Sequence, residues 1–217
     1  MRDVLISDFG GVLTTPLQDG FLAYQDEAGI SLEELGTAMA RAADEHGDHP
    51  LFMLERGEIS ETEFWARLER HVGTHFDLDR LRALFFECLQ PNTPMIDFVR
   101  ELRAGGIRAA LLTNNVREWQ PLWRGKLPEV DELFEVIVDS AFVGLRKPDP
   151  AIYRLTCDRL GVAPDRCLFV DDVEVNCTAA ADLGMAAVVF RSNEQAIAEM
   201  RDVLARDQLS QPSRSQR

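Results

Sequence analysis

The sequence predicts an α/β fold, a parallel sheet covered by helices on both faces, with a helical block inserted after the first strand. Three observations predict it. Strand-length apolar runs alternate with helical patterns over residues 91–207. Another such run, Asp3 to Ser7, lies near the N-terminus and leads into Asp8, Gly10 and Gly11. Between the two, residues 17–90 carry helix signals and no strong strand. Strands separated by helices pair in parallel, because each crossover returns the chain to the same end of the sheet. The helical block breaks that alternation directly after the first strand, so it reads as an insertion, not as a separate N-terminal domain.

Each element has its own signal. Ser31 with Glu34, and Ser60 with Glu63, have the spacing of capping boxes, in which a hydroxyl and a carboxylate satisfy the open N–H groups of a helix start. Leu78, Leu81, Leu84, Phe85, Cys88 and Leu89 share one helical face. Pro91 and Pro94 mark a boundary, and a helix from Met95 to Ala104 stops at Gly105 and Gly106. Ile107 to Leu112 reads as a strand and Glu135 to Val138 as a shorter one. Asp149 and Pro150 start a helix that Gly161 stops after Leu160. A strand at Cys167 to Val170, a helix at Glu174 to Leu183, a strand at Ala187 to Phe190 and a helix from Asn193 complete the alternation. Gln208 to Arg217 is polar and expected to be disordered. The expected division is a sheet core of residues 1–16 and 91–207, a helical cap of 17–90 and a tail of 208–217.

Composition narrows the function. The chain has 217 residues, 46% of them hydrophobic, enough for one full core and a satellite domain. A net charge of -14 repels nucleic acid and anionic membranes, so neither is expected as a partner. The same charge demands a local cation wherever an anionic substrate binds. No segment reaches the ~20 apolar residues of a membrane helix, and the run at Val4 to Ser7 is too short for a signal peptide. Cys88, Cys157, Cys167 and Cys177 lack metal-binding spacing and read as free thiols of a cytoplasmic protein.

Open parallel sheets bind ligands at the carboxyl ends of their strands. Here the first strand runs into Asp8, the second into Thr113 and Asn114, and a later one into Asp171 and Asp172, while Lys147 lies in a loop before a helix. Singly, each has a plain structural explanation: a strand-end Asp usually turns or caps the chain, and a loop lysine is usually solvated. Together they crowd three carboxylates onto one sheet edge. Two carboxylates ~4 Å apart repel by about 4 kcal/mol at an effective dielectric near 20, so the cluster calls for a cation. Oxygen ligands without His or Cys point to Mg²⁺.

These residues carry a resemblance. Asp8-Phe9-Gly10-Gly11-Val12-Leu13 is similar to the first motif of the haloacid dehalogenase (HAD) superfamily, and Thr113 after an apolar strand to its second. Arg146-Lys147-Pro148-Asp149-Pro150 with Ile152-Tyr153 resembles the third. Phe169-Val170-Asp171-Asp172, then Asn176 and Gly184-Met185, resembles the fourth. Arg56-Gly57-Glu58-Ile59-Ser60, leading into Phe64-Trp65, resembles cap sequences of the subgroup that includes epoxide-hydrolase N-terminal domains and sugar-phosphate phosphatases. The resemblance implies a Rossmann-like core with an α-helical cap, and a phosphatase acting on a small phosphorylated metabolite with Mg²⁺. It implies Asp8 as nucleophile, with Thr113 and Lys147 as its catalytic companions. Thr113, the backbone of Asn114 and Lys147 would bind phosphate, and Asp8, the Gly10 carbonyl and Asp172 the metal. Asp171 would stand one layer behind. Asn176 would orient Asp172 or the loop, unless it merely packs the helix.

One position departs from the pattern. Most phosphatases of the family carry, two residues after the nucleophile, an Asp that protonates the leaving group, and here that position is Gly10. Two expectations follow. Either the leaving group departs readily, as from an anomeric sugar phosphate or an acyl phosphate, or the cap supplies an acid, with Asp19, Glu27, Glu55, His46 and His49 as candidates. Gly10 also admits a non-catalytic protein that only binds a phosphorylated ligand. A 2-haloacid dehalogenase is the other alternative, although it would leave Asp171 and Asp172 as unneeded repulsion. The aromatic residues Phe52, Phe64, Trp65, Phe85, Phe86, Trp119 and Trp123 fit core packing as well as a substrate pocket.

Overall fold

The computed structural model describes residues 2–16, 20, 22–23, 25 and 29–209, the last three by backbone alone. Five parallel strands form the sheet, in the order β3-β2-β1-β4-β5. They are β1 (Val4–Ser7), β2 (Arg108–Thr113), β3 (Val136–Asp139), β4 (Cys167–Asp171) and β5 (Ala186–Val189). β1 is fully buried and central, as its unbroken apolar sequence requires. Alternate side chains face opposite layers. Leu5, Leu111, Leu168 and Val170 join one apolar cluster, while Val4, Ile6, Leu112 and Phe169 join the other.

Among the described residues, four helices lie between β1 and Pro91: α1 (Leu32–His46), α2 (Pro50–Glu55), α3 (Glu61–Val72) and α4 (Leu78–Cys88). This is the inserted helical cap. Its two connections run side by side, with an antiparallel bridge between Thr14 and Pro91. The Thr15 N–H donates to the Gln90 carbonyl at 2.8 Å and the Asn92 N–H to Leu13 at 2.8 Å, so the chain leaves and re-enters the sheet layer through one neck. Ser31 and Glu34 complete a reciprocal capping box. Ser60 caps only one way: the Glu63 N–H donates to its hydroxyl, while the Glu63 carboxylate accepts from Arg67 at 2.5 Å. The ion pair one turn on outcompetes the backbone N–H. On α4 the buried face is Leu81, Phe85 and Phe86, so Phe86 joins it and the half-buried Leu84 and Cys88 sit at its margin.

The remaining helices cover the sheet: α5 (Thr93–Ala104), α6 (Gln120–Lys126), α7 (Val130–Leu133), α8 (Ser140–Val143), α9 (Pro150–Leu160), α10 (Glu174–Asp182) and α11 (Asn193–Leu209). Asp149 caps α9 by accepting the Ala151 N–H, and Gly161 ends it in the left-handed region. α11 runs two residues into the segment expected as a tail from Gln208, and 210–217 lie outside the described residues. Among the described residues no helix is long and apolar enough to cross a membrane.

Candidate active site

Register places the chemistry. Ser7 pairs with Leu111 on one side and Val170 on the other, so the residues that follow β1, β2 and β4 emerge at one level. The Asp8 N–H donates to the Val170 carbonyl at 2.9 Å, extending that pairing by one residue. After β1 the chain builds outward to β2 and β3, then crosses to β4, so Asp8 stands at the switch point where such sheets bind ligands.

Lys147 is the hub. Its side chain is 1% exposed, with Nζ 2.7 Å from Asp8 Oδ1 and 2.6 Å from Asp171 Oδ2. Burial would lower the lysine pKa, but the Asp8 and Asp171 carboxylates outweigh it and hold the ammonium above its usual value. Asp171 is fully enclosed. Its Oδ1 accepts the Val173 N–H at 2.8 Å and the Asn176 amide at 3.0 Å, so both oxygens are engaged. Asn176 therefore orients Asp171, not Asp172, because the first turn of α10 brings its amide back over β4. The Tyr153 hydroxyl in turn donates to the Asn176 carbonyl at 2.9 Å.

Asp8 meets Lys147 through Oδ1. Burial pushes its carboxyl up to about 7, Lys147 pulls it back, and the neighbouring Asp171 and Asp172 add to the rise. Asp172 is exposed, and its carboxyl is also raised by burial of the site and by Asp171. Carboxylate oxygens of Asp8, Asp171 and Asp172 lie within 4.8 Å of one another. With Asp171 saturated by protein donors, Asp8 and Asp172 remain to share a cation, an oxygen set that suits Mg²⁺. Gly11 makes that approach possible: at φ +77°, a Cβ there would lie 2.2 Å from Asp172 Oδ2. Its adjacency to Gly10 hid this requirement in the sequence.

Thr113 is buried at the end of β2, its hydroxyl 3.4 Å from the Asn114 carbonyl. The Asn114 side chain holds the Lys147 backbone from both ends, donating to its carbonyl at 3.0 Å and accepting its N–H at 2.8 Å. The side chain thus serves the Lys147 loop, and the backbone N–H of Asn114 is the group expected to meet phosphate.

A cavity of about 330 Å³ adjoins this centre between cap and sheet, reaching Gly10, Thr113 and Asn114. Phe64, Trp65, Phe85, Phe86, Trp119 and Trp123 line it, whereas Phe52 stacks on His49 at the cap edge. Of the candidate cap acids among the described residues, only Glu55 lines the cavity, and its carboxylate accepts from Arg146 at 2.6 Å. His46 meets Arg70 on the far side of α1, and Asp19 and Glu27 lie outside the described residues. Glu61, unnoticed in the sequence, is fully buried between Arg82 at 2.6 Å and the Trp119 indole N–H at 2.9 Å, tying cap to core. Gly57, in the cap motif, leaves 2.2 Å between a hypothetical Cβ and the Ala141 carbonyl, another close contact across that seam.

Known proteins resemble this chain in sequence and fold. The family profile of haloacid dehalogenase-like hydrolases matches residues 3–184. Bifunctional epoxide hydrolase 2 of Sus scrofa is 32% identical over 126 residues, 56% of this chain and 22% of that protein. The chain thus spans about a fifth of its length. Sesquiterpene phosphatase astK of Aspergillus oryzae is 28% identical over 211 residues, 92% of this chain and 95% of that protein. In fold, a HAD family enzyme of Bacteroides thetaiotaomicron, solved with magnesium and inorganic phosphate, superposes with a TM-score of 0.71 at 22% identity, covering 88% of this chain and 95% of that one. With the profile spanning both the sheet and the helical insertion, the chain belongs to the haloacid dehalogenase-like hydrolases.

Proposed function

We propose that this hydrolase is a Mg²⁺-dependent phosphatase that cleaves a small phosphomonoester through an aspartyl-phosphate on Asp8. The observation that carries the reading is the buried Asp8–Lys147–Asp171 chain with Asp172 alongside, opening onto a cavity large enough for an organic group. Relatives named as a sesquiterpene phosphatase and as a flavin mononucleotide hydrolase support it.

An Asp8 carboxylate oxygen attacks phosphorus. The bond from phosphorus to the alcohol oxygen breaks, and its electron pair leaves on that oxygen, which takes a proton from water. A second water cleaves the acyl phosphate, releasing inorganic phosphate and restoring the carboxylate. Lys147 neutralises the nucleophile and the transferring group, and the Thr113 hydroxyl and Asn114 N–H donate to phosphoryl oxygens. Asp171, fixed by Asn176 and Val173, holds Lys147 in place. Asp8, the Gly10 carbonyl and Asp172 would hold Mg²⁺, whose charge would let a carboxylate approach a phosphate dianion. Residues 17–90 act as the cap over a core of 1–16 and 91–207. Four free cysteines, three of them buried, support a cytoplasmic setting.

Phosphate release from p-nitrophenyl phosphate with Mg²⁺ and with EDTA tests the reading. Turnover should require the metal and fall by roughly 10³-fold or more in Asp8→Asn. Gly10 favours a second reading, a protein that binds a phosphorylated ligand without turning it over. Phosphate-analogue binding with no release from any substrate would establish that one instead.

A further inference from the structure

We infer that the organic part of the substrate is a long hydrocarbon chain, seated in the cavity between cap and sheet. This rests on the hydrolase reading above and narrows it. Among the described residues, the only cavity-lining side chains or backbones that are not aliphatic or aromatic belong to Gly10, Glu55, Glu61, Thr113, Asn114 and Asn115. Gly10, Thr113 and Asn114 mark the end that meets the charged centre. Most of the other polar groups are already engaged: Glu61 by Arg82 and Trp119, Glu55 by Arg146, and the Asn115 amide oxygen by the Val116 N–H at 2.8 Å. The rest of the wall comes from Leu35, Met39, Leu54, Phe64 and their apolar neighbours.

A sugar placed here would bury most of its hydroxyls against carbon, with too few partners to replace water. A sugar 1-phosphate, one of the alternatives that Gly10 left open, is therefore disfavoured. A methylene chain meets a matching wall, and each added group leaves water for carbon contact. Gly10 fits the same picture, since it adds no carboxylate to the entrance of an apolar cavity. A long-chain alkyl phosphate and a long-chain acyl phosphate share this chemistry and differ only in the leaving oxygen.

The test has a binding arm and a turnover arm. In the first, n-alkylphosphonates of increasing length, kept below their aggregation limit, are titrated into the protein with Mg²⁺ present. Affinity should rise about fourfold per methylene, the equivalent of about 0.8 kcal/mol. The rise should continue over several added methylenes before it levels off. Leu35→Trp, which fills the cavity from α1, should end it at shorter chains. In the second arm, kcat/KM for n-alkyl and n-acyl phosphates should climb with length and exceed that for glucose 1-phosphate by more than about 100-fold, and their ratio tells the two sources apart. Length-independent affinity, or long chains held equally well by Leu35→Trp, overturns the inference. p-Nitrophenyl phosphate turnover with a flat chain series would overturn it while leaving the phosphatase intact. Length-dependent binding without any turnover supports the apolar-chain site and sinks the phosphatase reading.

Discussion

The sheet edge and the cap cavity meet at Thr113 and Asn114, yet they are built by opposite rules. At the edge, the charges at its centre are buried and answer one another: Lys147 bridges Asp8 and Asp171, and Asn176 and Val173 saturate the rest of Asp171. In the cavity, polar groups are few and turned to one another, leaving carbon to face the ligand. A charged lattice is stiff because any shift strands a buried charge. An apolar wall is forgiving because dispersion contacts have no direction. The edge suits one fixed reaction, and the cavity suits a selection that changes one side chain at a time.

The largest break should come from the hub. Lys147→Met leaves Asp8 and Asp171 buried without their cation, and removing one partner of a buried pair costs about 3–5 kcal/mol. The urea midpoint should fall accordingly, and a loss under about 1 kcal/mol would mean that the two carboxylates do not depend on the ammonium.

Asp139, at the end of β3, is a carboxylate of the same edge without a cation in contact. It is buried, its Oδ1 accepts the Ala141 N–H at 3.1 Å, and its Oδ2 has no well-formed hydrogen bond. Burial raises its pKa from 3.8 to about 6, offset only in part by the Ala141 N–H, the Trp123 indole and the more distant Arg117 and Arg124. The folded state therefore keeps this proton between about pH 4 and 6 while the unfolded chain has lost it. More protons bound in the folded state mean that stability is highest below pH 4 and falls as pH rises to 6, by up to about 3 kcal/mol. Asp139→Asn keeps an acceptor for Ala141 and removes that slope. Relative to the parent, it should be more stable at pH 7.5 than at pH 4, and parallel stability–pH curves would refute the assignment.

The two regions were not equally legible in the sequence. Asp8, Thr113, Asp171 and Asp172 announce themselves because strand-end position is a one-dimensional property: an apolar run stops and a polar residue follows. Helix α9 was readable residue by residue because its cap, Asp149-Pro150, and its stop, Gly161, are local chemistry. The cavity was not readable, because whether Phe64 or Trp119 faces a core or a void depends on how the cap lies on the sheet. Asn176 shows the limit inside the legible region. Its spacing from the acidic pair was clear, but the choice of Asp171 over Asp172 is set by the turn between β4 and α10.

The smallest expected effect sharpens the seam itself. Glu55 faces the cavity from the cap while accepting from Arg146, the residue before Lys147, whose guanidinium also lies 3.9 Å over the Phe52 ring. Burial raises the Glu55 carboxyl and Arg146 pulls it back, so the side chain stands between two roles, strap and proton donor. A carboxylate accepting from a guanidinium has no proton to give, which favours the strap. Glu55→Gln keeps an acceptor for Arg146 and loses the charge, so stability should drop by about 1–2 kcal/mol. As a strap, it should change turnover of p-nitrophenyl phosphate and octyl phosphate by the same modest factor. As the acid missing at Gly10, it would spare the nitrophenyl ester, whose leaving group needs no proton, and slow the octyl ester by roughly 10²–10⁴-fold. A leaving-group-dependent loss would therefore move Glu55 from the architecture of the cavity into the chemistry of the edge, and the division between the two regions would no longer hold.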